Sequence, residues 1–466
     1  MMVMKLKFGI KSQVVIRKYM DLKNKIKYVI LNILYCVFFI TAVGFSQDKA
    51  WTLQECIDYA LEHNITVKQG KNNLLLNNQD IKAAQGNFLP SLGIGLSQSL
   101  SLGQSELFPG NFVDRTFHST SAGLSISQSV FNGFRNTYIY KQAELNLETN
   151  QLELDRIKDD IALNVVNAYL NVLFNKENLE IAQAQYEFSD KQLEQVKALV
   201  DAGVQPKANI YDAEATLSRD AQQVTISENN FNLALLNLSQ LLQLPYEGFS
   251  VEVVDVGTPS ESLLYSNVSP ILDYALANRV EIKVAEKNIE NALLNTEISK
   301  AGYYPTVSLG YGFNTGANFS NLTNSNSFFQ QLNENKGHSF NLRVNIPIFS
   351  RYQNQTAVAK SKIQVENSKL NLEQAKINLE SNVQRAYTDA QAAFKAYEAA
   401  KKTLASQELA FNNAKERFDL GNMSAYDLEQ SRVQYINAQS SLINAKYDFV
   451  FKTKVLDFYM DKFLTH

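Results

Sequence analysis

Cysteine and histidine are scarce: two and four residues respectively in a chain of 466, with no cluster at metal-ligand spacing. Zinc and iron–sulfur centres are therefore not expected, nor is any other cofactor. Charge of one sign is also lacking. Lys and Arg number 44 against 47 Asp and Glu, a net charge of -3. A nucleic-acid partner normally requires a basic face, so none is expected. Long apolar runs are absent beyond the N-terminal region, which argues against an inner-membrane transporter built of spanning helices. Glycine and proline are missing from whole stretches. None occurs from Phe134 to Ala202, none between Pro347 and Gly421, and none after Gly421.

What is present begins with a leader. Lys23, Lys25 and Lys27 precede the apolar run "YVILNILYCVFFITAVGF" (28–45), after which "SQDKAW" is polar. A basic segment, an apolar segment and small residues at its end describe a secretory signal peptide, here 1–46. Cys36 lies inside the apolar run and follows Tyr35, where lipidation would want a small residue. The mature chain then keeps Cys56 alone and has no intrachain disulfide.

The remainder is written twice. "DYALEHNITVK" from Asp58 returns as "DYALANRVEIK" from Asp273, and each leads 32 residues later to a proline-started segment, at Pro90 and Pro305. "LSISQSVFNGFRN" (124–136) matches "LRVNIPIFSRYQN" (342–354), an offset of 218, and the same offset relates Gly203 to Gly421. Two equivalent halves are expected, 47–250 and 268–466, joined by a linker at 251–267 that contains Gly257 and Pro259.

Each half reads as a short helix, a medium helix, two alternating segments, and a long helical hairpin. The alternating segments have the period of two expected of strands, at about 89–102, 119–131, 304–315 and 339–349. Leu92, Ile94 and Leu96 alternate with Gly and Ser; Phe340, Leu342 and Val344 alternate with Asn341, Arg343 and Asn345. Their length suits a bilayer-spanning strand, and their connections, such as 316–337, read as polar loops. Four strands cannot close a membrane barrel, and lipid leaves an open edge unsatisfied, so several chains would have to share one barrel. A soluble sheet with one buried face is the alternative.

The hairpins are expected at about 134–244 and 351–463. Val365, Leu372, Leu379, Ala386, Ala393 and Ala400 recur every seven residues, with Val383, Ala390, Tyr397 and Leu404 beside them. A sustained seven-residue period implies supercoiled helices. The medium and last helices of each half together approach the length of one long helix, so they could stack end to end beside it. Ser424 is an N-cap candidate after the Gly421 break, and Asp427 falls where a carboxylate complements a helix N-terminus.

Catalysis finds no support. Gly93/Gly95 and Gly310/Gly312 are fragments of a phosphate-binding pattern without the third glycine and following helix. His63, His118, His338 and His466 fall on different elements. Acidic pairs such as Asp159/Asp160 read as solvated helix faces. The chain is not expected to be an enzyme; a periplasmic structural or adhesive coiled coil is the rival to a membrane barrel.

In this order the motifs resemble the TolC-like outer-membrane efflux proteins. "VFNGFR" (130–135) and "PIFSRY" (347–352) are similar to that family's strand-to-helix junction, with Phe131, Gly133, Pro347 and Phe349. "GVQPKANIYDAEATL" from Gly203 and "GNMSAYDLEQSRVQY" from Gly421 resemble its hairpin turn, with Pro206 and Ser424. The resemblance implies an α+β membrane protein: a homotrimer whose twelve-stranded β-barrel, four strands per chain, continues as an α-helical coiled-coil tunnel. It implies an exit duct in the outer membrane of a Gram-negative bacterium, working with a periplasmic adaptor and an inner-membrane transporter of RND or ABC type. It also implies an acidic periplasmic aperture. Asp427 matches the inner acidic position, Gln430 stands where a second acid can occur, and Asn209 and Asp212 are their counterparts in the first half. Phe418 stands where an aromatic can hold the tip closed.

Overall fold

The computed structural model describes residues 50–253 and 265–462. The expected leader, Cys36, His466, Gly257 and Pro259 lie outside the described residues. A two-residue strand β1 (Ala50–Trp51) leads into helices α1 (Leu53–His63) and α2 (Ile65–Gly86). Strands β2 (Ser91–Phe108) and β3 (Asn111–Asn132) follow, then α3 (Arg135–Asp201), α4 (Ala208–Leu242) and β4 (Ser250–Val251). The same order then returns as α5 (Ser269–Asn278), α6 (Val280–Lys300), β5 (Thr306–Ser320), a short α7 (Phe328–Glu334), β6 (Gly337–Asn345), α8 (Gln353–Asp419) and α9 (Ala425–Tyr459).

The long helices follow from the absence of breakers. α3 and α8 each run 67 residues without Gly or Pro, roughly 100 Å at 1.5 Å per residue. α2 and α4 pack along α3, α6 and α9 pack along α8, and α3 also touches α6 and α9, which joins the two halves. The shorter helices meet end to end. In the first half the Gln243 side-chain amide at the end of α4 faces His63 O and Ile65 N, at 3.2 and 3.0 Å. In the second, the Arg279 guanidinium at the start of α6 lies 4.2 Å from the Phe458 ring centroid at the end of α9.

The core lies between these helices. Val165, Tyr169, Val172 and Leu173 of α3 pack with Leu235, Leu238 and Leu242 of α4 and with Cys56, Ile57 and Ala60 of α1. On α8 the seven-residue rows form the buried seam: Val365, Leu379, Val383, Ala390, Ala393 and Tyr397 are all buried. β1 and β4 pair in parallel, Ala50 with Ser250 and Trp51 with Val251. The Tyr169 hydroxyl donates to Trp51 O at 3.2 Å and Glu252 O at 2.6 Å, so the start of the expected linker is tied into the first half.

The large sheet is antiparallel throughout, in the order β2-β3-β5-β6. Its strands depart from the expected bounds. β2 and β3 continue to a tight turn at Pro109–Gly110, well past 102 and before 119, because "NFVDR" pairs along the hairpin although it does not alternate. β6 stops at Asn345 rather than 349, since Pro347 offers no N–H to a ladder. The loop expected at 316–337 instead holds the end of β5 and helix α7.

Candidate functional site

The two hairpin turns have one backbone design. Val204 N–H donates to Leu199 O and Gly203 N–H to Val200 O, both at 2.9 Å; Asn422 donates to Arg417 O and Gly421 to Phe418 O, at 2.8 and 2.9 Å. These paired bonds are Schellman caps, which place the glycine in the left-handed region. Gly203 has φ +74° and Gly421 φ +75°. A Cβ there would be strained by the backbone itself.

The side chains around the turns differ. Ser424 caps α9: its Oγ accepts from Asp427 N–H at 3.2 Å and donates to Asp427 Oδ2 at 2.7 Å. Asp427 and Gln430 are exposed. Phe418 is buried inside its own hairpin with Ala414 and Leu428, packed by Phe411 and Met423. In the first turn Pro206 is exposed, and its carbonyl accepts from Asn209 N–H at 3.1 Å. Asn209 Nδ2 donates to Gln205 Oε1 at 3.2 Å. Asn209 and Asp212 line a cleft of about 350 Å³ between the hairpins, together with Tyr426 and Glu429; Asp427 and Gln430 do not line it.

Above that cleft sits a residue that pattern reasoning missed. Arg432 of α9 is 2% exposed. Its Nε and Nη2 donate to the two carboxylate oxygens of Glu429, at 2.7 and 2.8 Å. Nη1 reaches Asp220 Oδ2 at 2.9 Å on α4, and Gln185 Oε1 and Ser189 Oγ at 3.2 Å on α3. Ser189 Oγ also donates to Asp220. Burial disfavours the charge, but the hydrogen bonds to Glu429 and Asp220 outweigh it and hold the guanidinium above its ordinary value. A second polar cleft is lined by Asp220 itself with Asn178, Gln185, Gln223, Asn230 and Asn437. One arginine thus bridges both hairpins across a polar seam.

A second buried arginine corrects an expectation. Arg279, 4% exposed, pairs with Asp159 at 3.5 Å and with Glu281 at 3.0 Å. Asp159 is therefore no solvated surface acid; it faces Arg279 across the two halves. Burial pushes its carboxyl up and Arg279 opposes the shift. Asp160 is exposed and pairs with Arg156 at 3.1 Å. Sequence marks neither arginine, since a charge on a helix reads as surface until its neighbours are known.

The strand-to-helix junctions share a geometry in both halves. Gly133 and Phe134 have φ +68° and +65°; Arg351 and Tyr352, 218 residues on, have +50° and +61°. Gly133 is obligatory for a second reason, because a Cβ would lie 2.7 Å from Ala301 O. Phe131 packs edge-on against Phe134 and Phe349 against Tyr352, with centroids 5.3 and 5.8 Å apart. Asn136 Nδ2 donates to Asn87 O at 2.8 Å, and Asn354 Nδ2 donates to Gly302 O. Each asparagine ties a long helix to the end of the medium helix before the strands. Both close the repeated segments 124–136 and 342–354, which is the signal by which they could have been found. Pro347 is half-buried and Phe349 exposed.

The sheet has two contrasting faces. Register places Leu92, Ile94, Leu96, Ile126, Leu124, Tyr311, Phe313, Phe340 and Leu342 on one face. Gly93, Gly95, Ser97, Ser125, Gly310, Gly312, Asn341 and Arg343 fall on the other. Among the described residues no helix covers the apolar face; Leu96 is 78% exposed. β2 and β6 are its edges and pair with nothing else among the described residues.

Among the described residues no group of acids, histidines or cysteines is placed to hold a metal ion, and no helix is long and apolar enough to cross a membrane. The fold is that of known channels. The chain superposes on CusC with a TM-score of 0.73 at 19% identity, over 88% of this chain and 91% of that one. It superposes on the outer membrane protein VceC of Vibrio cholerae at 0.70 and 17%, over 88% and 95%. In sequence it is 21% identical to outer membrane protein TolC of Vibrio cholerae over 331 residues, 71% of this chain and 74% of that protein. It is 24% identical to the pyoverdine export outer membrane protein OpmQ of Pseudomonas putida over 284 residues, 60% of this chain and 57% of that protein. The profile of the outer membrane efflux proteins matches residues 56–243 and 271–454, one stretch in each half, and the chain belongs to that family.

Proposed function

We propose that three copies of this chain close into a twelve-stranded barrel in the outer membrane and act as the exit duct of an efflux or secretion system. The observation that carries this reading is the sheet. Its four strands have an uncovered apolar face, a small polar face and two open edges. Lipid satisfies the first, a water-filled lumen the second, and neighbouring copies the third. The helices then continue the lumen into the periplasm as a coiled-coil tunnel, ending at the Gly203 and Gly421 turns. A periplasmic adaptor and an inner-membrane transporter, of RND or ABC type, complete the path. No catalytic step is part of it.

At the tip, Asp427 faces solvent beside its serine cap. Three copies would place three such carboxylates around the narrow end, where they concentrate cations. Asp212, Asn209 and Gln430 contribute one further charge and two amides, so the aperture is simpler in charge than a double acidic ring. The mass of the detergent-solubilised particle tests the assembly: three chains are expected, and one or two would contradict it. At the site, Asp427→Ala is expected to weaken block by multivalent cations, and unchanged block would remove Asp427 from the aperture.

A further inference from the structure

Helix α7 and the strand that follows it present a mismatch. β6 has 9 residues, whereas its neighbour β5 has 15 and β2, the opposite edge of the sheet, has 18. β6 pairs with β5 only from Thr306 to Asn314. Above that point α7 and its flanks take the edge. Asn318 N–H donates to Gln331 Oε1 at 2.8 Å, and Asn335 Nδ2 donates to Gly316 O at 2.7 Å. Thr315 Oγ1 donates to Leu332 O. Ala317 beneath is fully buried. Side chains and a helical turn thus satisfy the edge that a longer β6 would have covered.

The outer side of α7 has no such cover. Phe329 is 80% exposed, and Phe328 beside it is partly exposed. On the far edge of the sheet, the upper part of β2 also exposes Leu100, Leu102, Leu107 and Phe108. The lower ends of β2 and β6 are both fixed by proline, Pro90 just before Ser91 and Pro347 just after Asn345. When β6 of one copy pairs with β2 of the next from that end, the upper half of β2 extends past Gly337 and meets no strand. The gap left there between β5 and the next β2 is two strand spacings, about 10 Å. An α-helix with its side chains is about 10–12 Å across.

We propose that α7 fills this gap as the upper part of the seam between copies, with Phe329 packed against Leu100–Phe108 of a second copy's β2. The inference rests on the barrel reading above. It makes each seam half strand pairing and half helix packing, so closure depends on an aromatic anchor as well as on backbone hydrogen bonds.

Zero-length oxidative cross-linking of the assembled protein tests it. Phe329→Cys would be combined in turn with Leu100→Cys, Leu102→Cys and Phe108→Cys, the native Cys56 being fully buried. Dimers and trimers on a non-reducing denaturing gel are expected for one of these pairs, falling off for the others. Each single variant, and Phe329→Cys with Tyr211→Cys at the tip, should stay monomeric. Particle mass is read on the same samples. A three-chain particle with no cross-link from any pair would overturn the seam and leave the barrel standing; a particle of one or two chains would overturn both. Phe329→Ser supplies a second readout. It is expected to lower the temperature at which the trimer dissociates in detergent while the helical circular dichroism is unchanged, and an unchanged dissociation temperature would count against the seam.

Discussion

The helical body buries apolar side chains along its whole length, from Ala84 near the strands to Leu428 near the tip, whereas the four-stranded sheet buries Ala317 and no other residue of its own strands. The two regions come from one chain with one composition, and they differ in what completes them. A helix needs only an apolar stripe and a neighbour; its backbone is satisfied internally. A sheet of four strands leaves two edges and two faces to be satisfied by something else. The helical body is therefore largely its own structure, and in the proposed barrel the sheet is one third of a structure that other copies and lipid finish.

Mutations can break or sharpen this contrast. The largest effect belongs inside the helical body. Arg432→Met leaves Asp220 without its cation and leaves Glu429 only the exposed Arg219 at 3.8 Å, and removing one partner of a buried pair costs about 3–5 kcal/mol. Thermal unfolding followed at the helical band should fall accordingly; a change within error would mean that water already screens the cluster. The sheet should respond to lipid instead. Leu96→Arg on the uncovered face is expected to cost about 2–4 kcal/mol if that face meets the bilayer midplane, read as lost membrane insertion while the helical spectrum persists. Normal insertion would mean that the face does not meet lipid.

Smaller effects test the equivalence of the turns. Gly203→Val and Gly421→Val each force a β-branched residue to positive φ, at about 1–2 kcal/mol per site. Nothing lies within 4 Å of a Cβ at either site, so the cost is backbone alone and should be equal. Unequal values would show that the two turns are under different constraint. Ser424→Ala removes a cap from the second turn only, about 1 kcal/mol. No such side-chain cap exists at the start of α4, so this loss has no counterpart in the first hairpin.

Much of the helical body was legible because its signals are periodic or categorical. The breaker-free stretches gave α3 and α8, the seven-residue rows on α8 gave the buried seam, and Gly203, Gly421 and Ser424 marked where the hairpins turn. The strands were legible where apolar residues alternate, and their ends were not. Asn111–Arg115 pairs outside the alternating pattern, and β6 yields early to Pro347. Helix α7 escaped notice because seven residues flanked by Asn and Ser give periodicity too short a window. The pairing of β1 with β4 escaped because two residues have no period at all. Arg279, Arg432 and Asp159 were illegible for another reason. Their burial is created by contacts between halves, more than 100 residues apart in sequence, and a charged residue looks the same on a solvated face as beneath one.

The assembled sheet is the part of the account that a single chain cannot complete, and ion conduction reads it directly. Purified protein reconstituted in a planar bilayer should give discrete conductance steps, because in the proposed assembly three copies of a sheet with one polar face enclose a water-filled lumen. A protein that inserts into the bilayer as a three-chain particle and conducts no ions, with the tip either intact or shortened at Gly203 and Gly421, would contradict it.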